Sequence, residues 1–323
     1  MIHEYALEPE LVATWVDRRV GRYFIEKFGL GQPRIVSRYP KRWKRLVWEA
    51  FTSGNDVERA RMTELLERLR ETMVKRRDGR WDPSAAWLHN AEDEHARVPF
   101  HAILARSNPR GLTMVLVADE IDDATPLWGV PRGCTIPRTA MDMAAAVASM
   151  LRIADVLVFV DPHFGPENGR HRRPLERFLR SVVDARPGEA PRRLEAQSSA
   201  DGGSTTAFFC DECRQRLPVC IPIGLRVEMV RLRQRPGGER LHNRYILTDL
   251  GGVIFGVGLD EGDHGDTDDI QLLDRAQYEE RWRQYAGEPP AFDQPEPAIR
   301  VEGAAHDGRR RGASRRPVGR RIK

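Results

Sequence analysis

The chain has 323 residues, 40% of them apolar and 31% charged, enough for two domains with real cores and well-solvated surfaces. No apolar run reaches the roughly 18 residues of a membrane span, and four cysteines do not make a disulfide scaffold. The formal net charge of +4 misleads: the last fifteen residues, RRRGASRRPVGRRIK, hold eight Lys/Arg and no acid, which leaves residues 1–308 at −4.

The opening MIHEYALEPELV has acids where a secretory signal needs a basic region, so a cytoplasmic protein is expected. Residues 8–28 read as a helix. Pro9 suits the first turn, Leu11, Val12, Trp15, Val16, Val20 and Phe24 share a stripe, and Gly29 suits the stop. RYPKRWKRLVWEAF (38–51) interleaves basic and aromatic residues. That composition stacks on bases and pairs with phosphates, but it is more often an amphipathic helix with snorkelling side chains. Asn55 to Arg77 is the clearest helix, with Asn55 and Glu58 spaced as a capping box. His89, Glu92 and His95 meet on a helix, but the spacing is not H-E-x-x-H, so they read as surface or satisfied histidines. Residues 1–110 are expected to be a mainly helical region, open to protein partners.

From Leu112 the pattern changes. Buried strands are expected at 112–118 and 155–164, a weak one at 193–198, and another at 225–233. Helices are expected at 139–154, from Pro174 onward, at 204–217 and at 274–286. Strands alternating with helices predict an α/β layered domain over 111–286. Cys210, Cys213 and Cys220 form C-x2-C-x6-C, but no fourth ligand lies at close spacing, so core packing is the expectation and no metal is assigned. Residues 287–323 read as a Pro/Gly linker into a disordered basic tail. Arg309, Arg310, Arg311, Arg315, Arg316, Arg320 and Arg321 either hold nucleic acid through phosphates or simply keep the chain soluble.

The chemistry concentrates in LHNRYILTDLGGVIFGVGLDEG (241–262), which reads as a hairpin around a Gly-Gly turn. His242, Arg244 and Asp249 fit H-x-[K/R]-x4-D. On a strand His242 and Arg244 share a face. An imidazole beside a fixed cation suits phosphoryl chemistry, the histidine attacking phosphorus and the arginine clamping its oxygens. Asp249 is a candidate to orient an imidazole through its second nitrogen. The following DEGDHGDTDD (260–269) is rich in carboxylates but lacks EF-hand spacing, so a flexible acidic loop is expected.

These residues resemble the phospholipase D superfamily, which carries H-x-K-x4-D on such a hairpin, followed by a glycine and small polar residues. VLVFVDPHF resembles that family's early strand, and the likeness covers about 140–286. It implies a phospholipase-D-like mixed sheet, a nucleophilic or acid His242, Arg244 in the place of the phosphate-binding lysine, and Asp249 as the motif aspartate. HNRYILTDLGG…FGVGLDEG is also similar to the phospholipase-D-like domain at the C-terminus of MIT-domain proteins and its bacterial homologues. That likeness matches Gly256, Gly258, Leu259 and Asp260 to second-strand positions and implies dimerisation and binding without catalysis. Val257 and Leu259 stand where active members are polar, and no second motif exists in the chain. The expectation is a metal- and cofactor-independent phosphodiesterase, a nuclease or nucleic-acid-processing factor of the kind found in bacterial defence, acting on DNA or RNA. A homodimer would complete its site. The alternative is an inactive binding module.

Overall fold

The computed structural model describes residues 1–52, 54–77, 81–201, 204–288 and 291–305. The basic tail from Arg309 to Arg321 lies outside the described residues. Two β-sheets organise the chain, and it is a mixed α/β protein.

The first sheet holds β1 (His3–Leu7), β2 (Arg34–Arg38), β3 (Val74–Lys75), β4 (Ala102–Ala105) and β5 (Val115–Val117) in the order β3-β2-β1-β4-β5. Every pairing is parallel. Helices α1 (Pro9–Ala13), α2 (Arg18–Lys27), α3 (Trp43–Ala50) and α4 (Asp56–Arg70) supply Leu11, Phe24, Trp43 and Leu66 to the core on one face. Helix α5 (Trp87–Arg97) packs on the other.

The N-terminal region is therefore α/β rather than mainly helical. Its strands escape periodicity because they bury polar side chains. Glu4, Arg34 and Ser37 are all buried, so HEYAL and RIVSR show no apolar run. Two expected helices are also shorter than read. Residues 8–28 split into α1, a 3-10 turn at Thr14–Val16 and α2. Helix α4 stops at Arg70, and Val74–Lys75 becomes an edge strand. Its capping box is present: the Glu58 amide donates to Asn55 Oδ1 at 3.0 Å, and the Asn55 amide donates to Glu58 Oε2 at 3.1 Å.

The second sheet holds β6 (Gly133–Pro137), β7 (Val156–Val160), β8 (Arg193–Ser199), β9 (Arg226–Leu232), β10 (Arg244–Thr248), β11 (Gly251–Phe255), β12 (Thr267–Leu272) and β13 (Ile299–Glu302). Its order is β13-β9-β8-β7-β10-β11-β12-β6. Because β5 completes the first sheet and β6 begins the second, the crossing falls after Val117 and not at residue 110. Strand β13 adds antiparallel to β9, and Phe292 is buried, so part of the expected linker belongs to the fold.

Strand β7 (VLVFV) is buried on both faces, as a central strand must be. Leu157 and Phe159 face helices α6 (Ala140–Ile153), α7 (Gly169–Val183) and α8 (Thr206–Arg216), while Val156, Val158 and Val160 face α9 (Arg275–Tyr285). Helix α6 ties the two sheets together. Met143, Val147 and Leu151 share one core with Ile2, Ile35 and Val74 of the first sheet and with Leu157 of the second. Among the described residues no helix is long and apolar enough to cross a membrane.

The β10–β11 hairpin forms, but its turn is Asp249-Leu250. Gly251 and Gly252 begin the second strand, where Thr248 pairs with Gly251. Gly251 takes φ +145, and a Cβ there would lie 2.7 Å from Ile2 Cδ1. The expected acidic loop is part strand as well: β12 pairs with β11 and β6, and Asp268 inside it is buried.

Candidate functional site

Strands β7, β8 and β9 run parallel and end at one edge of the second sheet, where the antiparallel β10 begins. In open α/β sheets ligands bind at this carboxyl edge, because the loops converge there. The amino end of β10 brings His242 and Arg244 to it. His242 is exposed and Arg244 half-buried. Arg244 is the first residue of β10, and His242 precedes the strand by two residues.

Asp249 is not with them. It sits at the far end of β10, where its Oδ1 accepts the amides of Asp155 (2.9 Å) and Val156 (3.0 Å) at the start of β7. It anchors strand to strand and does not orient His242. Burial pushes its carboxyl above the ordinary aspartate range, against the pull of the two amides. The folded state thus holds that proton more tightly than the unfolded chain does. Wild-type stability therefore falls as pH rises from the ordinary aspartate range through the raised folded value. Urea unfolding is expected to show Asp249→Ala weaker by about 1–3 kcal/mol, since two buried amides lose their acceptor. Asp249→Asn, which lacks the titration, should gain on wild type as pH rises above the ordinary aspartate range.

The edge carries a polar row that the hairpin alone does not reveal. Ser198 on β8 is the Cα partner of Arg231 on β9. The Asp161 amide donates to Gln197 O (3.0 Å), extending the β7–β8 ladder one step past Val160–Gln197. One step beyond the Tyr245–Val160 pair, Arg244 stands across from Asp161. By strand alternation Arg231, Ser198, Asp161 and Arg244 all point to the face covered by α6, α7 and α8, like Met229, Ala196, Phe159 and Ile246 two residues away. On β11 the row ends, because Arg244 pairs with Phe255. Ser198 Oγ, Arg231 Nε and Arg244 Nε are shielded from solvent and, among the described residues, have no hydrogen-bond partner. Buried polar atoms are nearly always satisfied, so three orphans in one row mark this edge.

The segment after β11 is structural. The Val257 amide donates to Asp268 Oδ1 (3.1 Å) and the Leu259 amide to Asp161 Oδ2 (2.9 Å). Arg138 Nη2 donates to Asp260 Oδ1 at 2.7 Å. Pro174 has no N–H for the carbonyl of Arg170, four residues earlier in α7. That carbonyl accepts the Glu261 amide instead (3.0 Å), and Glu261 Oε1 accepts the Ala140 amide at the start of α6 (3.1 Å). A Cβ on Gly256 would lie 2.9 Å from Asp268 Oδ1, and one on Gly258 would strike Asp260 Oδ1. Gly256, Gly258 and Asp260 thus build the loop rather than line a substrate site.

Asp161, His171 and Asp260 bring one ligand atom each within 4.8 Å of one another. Their free valence is small. Asp161 accepts two amides, His171 Nδ1 accepts the Gly165 amide at 3.1 Å, and Asp260 faces both Arg138 and Arg170. Two guanidiniums beside Asp260 oppose a divalent cation, so the trio reads as the hydrogen-bonded frame of the edge.

Elsewhere the residues singled out by sequence are structural. Cys213 is buried in α8, and burial pushes its thiol up to about 12, which fits packing rather than ligation. Glu92 pairs with Arg110, which also reaches His89 Nδ1 at 2.8 Å. The strand order of the first sheet reverses between β1 and β4, but Glu8 and Arg106 close on each other there, with the Arg106 amide 2.7 Å from Glu8 Oε2.

No protein-family model matches the chain, and no curated protein does. Among solved structures, that of TrmBL2, an archaeal chromatin protein with a novel mode of DNA binding, aligns at 13% identity. The alignment covers 71% of this chain and 82% of that one at a TM-score of 0.25, too low to imply a shared fold.

Proposed function

We propose that the second α/β unit is phospholipase-D-like and that its carboxyl edge processes phosphodiesters, nucleic acid being the substrate class. One observation carries this reading: His242 and Arg244 stand two residues apart in sequence where β10 begins at the carboxyl edge, His242 exposed and Arg244 Nε without a partner among the described residues. In this reading a ring nitrogen of His242 attacks phosphorus while Arg244 holds the non-bridging oxygens, and the bond to the leaving oxygen breaks. That oxygen takes a proton from the His242 imidazolium of a second copy. The same imidazole, now neutral, deprotonates the water that displaces phosphorus from the first His242. The chain supplies one such histidine, so activity belongs to a homodimer.

The test is cleavage of single- and double-stranded oligonucleotides and a chromogenic diester by the purified chain in EDTA, with the oligomer measured by light scattering. Arg244→Gln is expected to lower kcat/KM about 10²-fold, the usual cost of one lost charge-stabilising donor. Arg244→Lys should recover part of that, because charge is restored without the fork. Undiminished cleavage by folded Arg244→Gln would sink the assignment. A second reading, a non-catalytic binding module, draws on Val257, an exposed apolar residue beside the site. It predicts no cleavage by wild type but oligonucleotide binding that weakens in Arg244→Gln.

A further inference from the structure

A cleft of about 310 Å³ opens at the carboxyl ends of β7, β8 and β9, lined among others by His163, Ser199, Ser204, Arg231 and Arg240. Arg231 lies at its wall and is 7% exposed. Its Nη2 donates to Ser204 O (3.1 Å), its Nη1 lies 3.4 Å from Thr206 Oγ1, and its guanidinium centre is 5.2 Å from the ring centre of Phe209. Among the described residues its Nε has no partner. Arginine is rarely buried without an acid, yet among the described residues Arg231 forms no ion pair. The nearest carboxylate in its network is Glu296, reached through the Thr206 hydroxyl. Asp201 on the rim is engaged by Arg233 at 3.4 Å, and Glu167 is exposed. Helix α8 begins at Thr206, one residue (the N-cap Thr205) beyond the lining residue Ser204, so the positive end of an eleven-residue helix adds to the field.

We infer that this cleft binds a phosphate group, gripped by the Arg231 guanidinium at the amino end of α8. Arg231 is three strands from Arg244, about 14 Å at ordinary strand spacing. The cleft is therefore a separate subsite on the same edge, and phosphate binding there needs Arg231 and not His242. The inference stands whether or not His242 is a nucleophile.

Titration calorimetry on the full chain at constant ionic strength tests it, with inorganic phosphate as one probe and a 5′-phosphorylated trinucleotide as the other. Wild type should bind, and Arg231→Gln should bind at least about tenfold more weakly, the loss of one charge-assisted contact. Because Arg231 is packed, Arg231→Lys is the companion variant. It keeps the charge, loses the fork, and should weaken binding in the same direction. Tighter binding of the trinucleotide assigns the phosphate to a nucleotide chain, and equal binding assigns it to free phosphate. The inference is overturned if neither probe binds wild type, or if the folded Arg231 variants bind as wild type does.

Discussion

A His242→Ala chain is expected to keep its fold and to lose phosphodiester cleavage by about 10³-fold or more, the scale on which removing a nucleophile acts. His242 is exposed, and substitutions at such positions usually change stability by no more than about 0.5 kcal/mol. Its thermal midpoint should therefore match wild type, so lost activity cannot be blamed on lost structure. The measurement is initial rate on an oligonucleotide and on a chromogenic diester, beside a melt of the same sample. A variant that cleaves at the wild-type rate would remove the histidine from the mechanism.

The largest stability effect is expected in the first sheet, at Arg76. Its Nε and Nη2 each lie 2.7 Å from a different oxygen of Glu4 on β1, and its Nη1 lies 2.9 Å from Glu94 on α5. All three side chains are 1% exposed. Nη1 also donates to Val98 O (2.7 Å), and the guanidinium sits 3.7 Å from the centre of Phe100. Arg76 follows β3, so one side chain fastens the β3 edge, the central β1 and the covering helix. Arg76→Ala leaves two carboxylates buried with their main counter-ion gone, at a cost of about 3–5 kcal/mol. Against a total stability of roughly 5–15 kcal/mol, that is a large fraction. Urea unfolding checks it, with Arg76→Lys falling between the two because charge returns without the fork. A loss below about 1 kcal/mol would mean that the network is not what holds the first sheet together.

The same network explains why the first sheet was hidden in the sequence. Glu4 and Arg34 are strand residues that look like surface charges until Arg76 and Trp128 are seen around them. The second unit was more legible. VLVFV is a continuous apolar run, Thr139 caps α6, and Asp274 with Gln277 forms the capping box of α9. Of the candidate site, His242 and Arg244 were readable because a histidine two residues before an arginine at a strand start is a local pattern, although β10 begins only at Arg244. Asp249 misled because sequence offset does not say which end of a strand a residue occupies. Gly256, Gly258 and Asp260 share a motif with the site but serve the loop. Ser198 and Arg231 were missed because they lie on separate strands, in stretches read only for their apolar residues. Their relation exists only once β8 and β9 are paired. Asp161, quoted in VLVFVDPHF, could have raised suspicion, since an acid ending a buried strand needs partners.

If His242 at the carboxyl edge of the second sheet attacks phosphorus, a phosphorus–nitrogen bond forms, and that bond can be sought directly. The full chain is mixed with an oligonucleotide in EDTA, quenched at alkaline pH in denaturant to preserve a phosphorus–nitrogen bond, digested, and read by mass spectrometry. The account predicts a nucleotide adduct on the peptide that contains His242, and none in His242→Ala. Cleavage with no adduct on that peptide, undiminished in His242→Ala, would contradict it.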